Sequence, residues 1–164
     1  MQPANKGQRL KDFLTSHDIQ PALGLAEEVI TKFEQHHKVH IPTDLREYFR
    51  AMNGSADAYA YGIIRFWGLN EVESVVDVVS RADPSSAVIQ TAYRDGFEDA
   101  EHYYVVADFL HELQLYAIKL LPSQRGPNEV IILDGSPPTR VADSFSEFVD
   151  FYVDSPERLH LAID

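Results

Sequence analysis

Cysteine is absent from the 164-residue chain, which excludes disulfides, thiolate nucleophiles and cysteine-based metal sites. Basic residues are scarce: 14 lysines and arginines stand against 26 aspartates and glutamates, a formal charge of -12 at pH 7. A field of that sign repels phosphate backbones, so general nucleic-acid binding is not expected. It also raises encounter rates with a basic partner. Solubility alone accounts for such a charge in many acidic chains, and that plainer reading covers the same residues. Missing too is any run of about 18 apolar residues able to span a bilayer. The opening MQPANKGQRL lacks the apolar core of a signal peptide. A cytoplasmic protein without membrane contact is the expectation. No Gly-x-Ser-x-Gly elbow, Gly-Lys-Ser/Thr phosphate loop or dinucleotide fingerprint occurs, so neither catalysis nor a cofactor is expected.

What remains is ordinary globular material, 45% hydrophobic and 24% charged, of a length suited to one domain that hides about two thirds of its unfolded surface. The most informative stretch is VITKFEQHHKVHIPTDLREYFRAMNG, residues 29–54. Leu25, Val29, Ile30 and Phe33 recur at helical spacing, which predicts a helix ending near His37. Pro42 forbids its continuation but suits the first turn of a second helix. The stripe of that helix is Leu45, Tyr48, Phe49 and Met52, with Asn53-Gly54 closing it. Ahead of this pair, Gln8 to His17 reads as a short helix, set off from the helix at Leu25 by Pro21 and Gly24; it forms an N-terminal extension, 1–24, ahead of the main domain, 25–164.

Downstream, Ile63 to Trp67 reads as a strand. Asn70 and Glu73 make a capping-box-like start to a helix carrying Val72, Val75, Val76 and Val79. Residues 82–101 give no clear pattern. Three strands follow, Tyr103 to Asp108, Leu115 to Leu121 and Glu129 to Leu133, the first two joined by the turn FLHELQ; short connections predict an antiparallel meander. Ser144 with Glu147 caps a final helix whose stripe is Phe145, Phe148, Val149, Tyr152 and Val153. The composite is one α+β domain.

The series Phe33-Glu34, Ile41-Pro42-x-Asp44-Leu45, Tyr48-Phe49 and Asn53-Gly54 resembles the opening signature of the SUKH superfamily, which includes fungal cell-wall-synthesis regulators and many bacterial immunity proteins. Phe66-Trp67-Gly68-Leu69, the Tyr104 and Tyr116 strands and Ser144-Phe145-Ser146-Glu147-Phe148 look like its later parts, so the resemblance runs from about Leu25 to about Val153. It implies a curved antiparallel or mixed β-sheet with helices packed against it. One departure stands out: the family's hairpin turn often carries Gly and Asp, and FLHELQ has neither. The role implied is toxin neutralisation, often of a nuclease, by direct binding; the alternative is a regulatory or scaffold module, as in the fungal relatives.

Candidate residues follow from charge and exposure. Asp95, Glu98, Asp99 and Glu101 form a run of carboxylates without an intervening basic residue, suited to a basic partner. Glu71 and Glu73 are second choices, and Tyr59 and Tyr61, in a small-residue loop, are aromatic contact candidates. The same carboxylates read equally well as a solvated loop. His36, His37 and His40 invite a metal reading, but their spacing crosses a helix end and Lys38 opposes a cation, so no metal is assigned. Asp108 and Glu112, flanking His111, are expected to be exposed turn residues rather than an acid-base pair, which would need a shielded pocket.

Overall fold

A computed structural model describes residues 5–56, 64–81, 97–109, 112–124, 126–135 and 137–159. Among them lie five α-helices, α1 (Lys6–Ser16), α2 (Glu27–His37), α3 (Thr43–Ala51), α4 (Val75–Arg81) and α5 (Phe145–Asp154). The strands are β1 (Ile64–Phe66), β2 (Glu73–Ser74), β3 (Tyr103–Phe109), β4 (Gln114–Lys119), β5 (Val130–Leu133) and β6 (Thr139–Ala142). They form one antiparallel sheet ordered β1-β3-β4-β5-β6, with β2 also paired to β3. The α+β class and the meander are as the strand pattern implies.

Cross-strand register sorts the side chains onto two faces, because successive residues of a strand point to opposite sides. One row runs Phe66, Ala107, Tyr116, Ile132 across four strands. Helices α3 and α5 cover it: Phe66 meets Phe148 and Tyr152 with ring centroids 6.2 and 5.2 Å apart, and Tyr48 meets Phe145 at 5.1 Å. The adjacent row, Arg65, Asp108, Leu115, Leu133, lies on the opposite face. All seven residues of β3 are buried, consistent with a central strand covered on both sides.

The helix corner forms as its proline predicts. Lys38, in the left-handed region, ends α2, and Pro42 is the N-cap of α3. Glu34 fastens the two helices by accepting from the Ile41 N–H at 2.8 Å and pairing with Arg46. Burial works to raise its pKa, but the Arg46 and Ile41 bonds outweigh that and hold the carboxyl below its usual range. Asp44 links α3 to α5: one carboxylate oxygen accepts from Leu45 N and the other from Ser146 N, both at 2.8 Å. Gly54 has φ +83°, and a Cβ there would sit 2.5 Å from the Gly68 nitrogen, so this crossing admits only glycine.

Three readings of the sequence need correction. Helix α4 starts at Val75, not near Asn70, because Glu73 and Ser74 pair with β3 and the Ser74 hydroxyl accepts from Asp77 N at 3.2 Å. Strand β6 follows Pro137-Pro138, where the sequence reads only as a break; it joins at an edge, where proline is tolerated. The short N-terminal helix forms where the sequence places it, as α1, and it packs on α3 and α5, with Leu10 and Leu14 fully buried and Lys6 and Arg9 paired with Asp150 and Asp154. Finally, Asp108 is fully buried rather than an exposed turn residue.

Candidate protein-binding surface

Residues Ala100–His102 form a 3-10 turn leading into β3. Buried Ala100 holds it down, Phe97 stacks on Tyr103 at 5.0 Å, and Leu120 N donates to the His102 carbonyl at 2.8 Å. Glu98, Asp99 and Glu101 are thereby presented on an anchored frame, and all three are exposed. The Lys119 ammonium stands 3.8 Å from Asp99, and Glu101 lies 3.5 Å from the His102 imidazole. Helix α4 and β2 pack against this turn, and α4 contributes the exposed Asp77.

The other predicted residues have different surroundings. Glu73 sits on β2 and pairs with Arg81 at 2.9 Å. Glu71 pairs with Arg65 at 2.6 Å and accepts from Gly68 N at 3.1 Å. Asp95, Tyr59 and Tyr61 lie outside the described residues. The structure therefore brings three of the predicted carboxylates together, with a fourth nearby but engaged.

Sequence reasoning missed a charged network on the sheet face opposite α3 and α5. The Asp108 carboxylate accepts from the Trp67 indole N–H at 2.7 Å, from Arg65 Nε at 3.0 Å and from the Glu112 backbone N–H at 3.0 Å. The Arg65 guanidinium also lies 5.5 Å from the Trp67 ring centre. Glu112 adopts φ +66°, the backbone state that a glycine would supply in a hairpin turn, and its bond to Asp108 compensates for the Cβ. This accounts for the turn without Gly or Asp inside it. One signal was available: a single charge in each of two apolar strands, IIRFW and YYVVAD, since a buried charge demands an opposite one. With three donors fixed on it, Asp108 serves as a structural anchor.

Of the histidines, His36 and His37 lie with ring centres 4.8 Å apart, while His40 faces Glu34 at 3.4 Å. His37 stacks on Phe33 at 4.2 Å and meets Tyr104 at 5.8 Å. Burial pushes its pKa down, the charge of His36 adds to this, and Asp77 opposes both. Among the described residues no three His, Asp or Glu side chains are grouped to hold a metal ion.

A model described as the SMI1 / KNR4 family (SUKH-1) matches residues 24–150, from just before α2 into α5. No curated protein matches the chain.

Proposed function

Because the chain belongs to the SMI1 / KNR4 family (SUKH-1), we propose that it is a non-catalytic protein-binding domain acting as an immunity protein in the cytoplasm. In this reading it neutralises a toxin by covering it. The observation that carries the reading is the acidic turn, where Glu98, Asp99 and Glu101 stand exposed on an anchored frame in a chain of net charge -12. A nuclease domain must present basic residues to its phosphate substrate, and an array of carboxylates can occupy that surface in the substrate's place. Members of the superfamily that the signature resembles include immunity proteins, which supports the same role.

The test is coexpression with the protein encoded beside this gene. Restored growth and a stoichiometric complex on gel filtration are expected. Unrelieved toxicity with no complex overturns the reading, and capture of host regulatory enzymes instead would replace it with a scaffold role.

A further inference from the structure

Asn53-Gly54 is the one asparagine-glycine pair in the chain, and such a pair carries its own chemistry. Glycine has no side chain to shield its amide nitrogen. The Gly54 nitrogen can therefore attack the Asn53 carboxamide carbon, forming a C–N bond and expelling the side-chain nitrogen as ammonia. Water then opens the five-membered imide at either carbonyl. One opening leaves aspartate; the other leaves isoaspartate, whose backbone runs through the side-chain carbon and is longer by one methylene.

The fold holds this pair by backbone and side chain alike. The Asn53 N–H donates to the Ala22 carbonyl at 3.1 Å, and the Gly54 carbonyl accepts from the Ala22 N–H at 3.0 Å. The Asn53 carboxamide oxygen accepts from the Leu69 N–H at 2.7 Å, and its nitrogen donates to the Asn70 side-chain oxygen at 3.5 Å. Space is equally short. A Cβ on Gly54 would stand 2.5 Å from the Gly68 nitrogen and 2.8 Å from the Phe66 carbonyl oxygen, and a Cβ on Gly68 would stand 2.8 Å from the Asn53 carbonyl oxygen. Ala22 belongs to the segment joining α1 to α2, which is fastened along the end of α3: Leu23 bridges to Met52, and the Leu25 N–H donates to the Phe49 carbonyl at 2.8 Å. The backbone clamp on Asn53-Gly54 is therefore only as firm as that segment.

We propose that Asn53-Gly54 is a covalent modification site gated by the fold, closed to imide formation while the segment 17–26 lies against α3 and open when it lifts away. Ring closure joins the carboxamide carbon to the Gly54 nitrogen, which pulls Asn53 off Leu69 and turns the peptide that Ala22 holds. Isoaspartate makes the opening permanent, because the crossing with Gly68 has no room for a further backbone atom. Aspartate does not, since its carboxylate still accepts from the Leu69 N–H. The chain thus keeps a chemical record of how often this corner has opened, with water as the only co-reactant.

The experiment ages the full chain in warm, mildly alkaline buffer, folded and in guanidinium chloride. It follows the mass gain of amide-to-acid conversion, with peptide mapping to assign Asn53 and to separate its two products. Conversion in the folded chain should be slower by about tenfold or more, since the reaction waits on local opening. Pro21→Gly, which loosens the segment beside Ala22, should speed conversion in a chain that circular dichroism shows to be folded. After removal of denaturant, molecules carrying isoaspartate should fail to regain the native emission of Trp67, while Asn53→Asp, made directly, should fold. Equal rates in the folded and unfolded chain overturn the gate. A Pro21→Gly rate equal to that of the wild type overturns the part given to segment 17–26, and native emission from refolded isoaspartyl chains overturns the permanence.

Discussion

Asp108 holds a carboxylate at zero solvent exposure with three donors on it, from β1, from the tryptophan that follows β1 and from the hairpin turn. Removing this carboxylate leaves the Trp67 indole N–H and the Glu112 N–H without their acceptor, at about 1–3 kcal/mol for a buried donor left unsatisfied, while Arg65 keeps Glu71 as its counter-charge. Asp108→Ala should therefore lower stability by that order in urea unfolding, with the emission of Trp67 shifting as its indole N–H loses its acceptor. Asp108→Asn keeps an acceptor for the indole, so its loss should be smaller. His37 supplies a pH effect of definite sign. Its folded pKa lies below the ordinary 6.5, so the unfolded chain takes up the proton first and stability falls as pH drops below that value. Thermal melts across this range should show the wild type losing more stability than His37→Gln on the acid side.

Helix α1 is joined to the body by two kinds of contact, and their magnitudes differ. Its ion pairs with Asp150 and Asp154 are partly exposed, a setting where each contributes at most about 1 kcal/mol. Leu10 is fully buried, and truncating such a side chain costs about 2–5 kcal/mol. Leu10→Ala should lower the unfolding midpoint several times more than Arg9→Ala. Asp44 is a second joint between elements, since its carboxylate accepts from the first turns of both α3 and α5. Asp44→Ala should cost about 1–2 kcal/mol in chemical denaturation, because two helix N-termini lose an acceptor and a favourable charge at once. The elements legible in the sequence were those with a strong local signal: the α2–α3 corner through Pro42, α5 through Ser144 and Glu147, and β3 through its apolar run. Strand β6 was hidden because Thr139 and Arg140 are exposed and only its pairing with β5 makes it a strand. The start of α4 was displaced because β3 takes Glu73 and Ser74 for a ladder, which no helical spacing of valines reveals.

Across the molecule, acidic residues outnumber basic ones by 26 to 14, and in the proposed protein-binding role that excess governs the approach of a basic partner. Among the described residues no helix is long and apolar enough to cross a membrane. Association with a basic partner should slow steeply as salt rises, since a field of this kind is screened within about 8 Å at physiological ionic strength. The double variant Glu98→Lys, Asp99→Lys should slow association measured by stopped flow while leaving the melting temperature near that of the wild type. A salt-independent rate would remove the acidic turn from the encounter.

Composition and local periodicity were enough to establish an acidic α+β domain, its proline-cornered helices and its strand meander, because helix stripes, caps and apolar strands are written in residues a few positions apart. Which carboxylates remain available and which are structural was settled by folding. Glu71 and Glu73 are drawn to Arg65 and Arg81, while Glu98 and Glu101 stay in water. Arg65 and Asp108, 43 positions apart in the chain, become cross-strand neighbours only through sheet register. Ion pairing depends on distance in space, and that distance is fixed by long-range packing that no window of sequence contains.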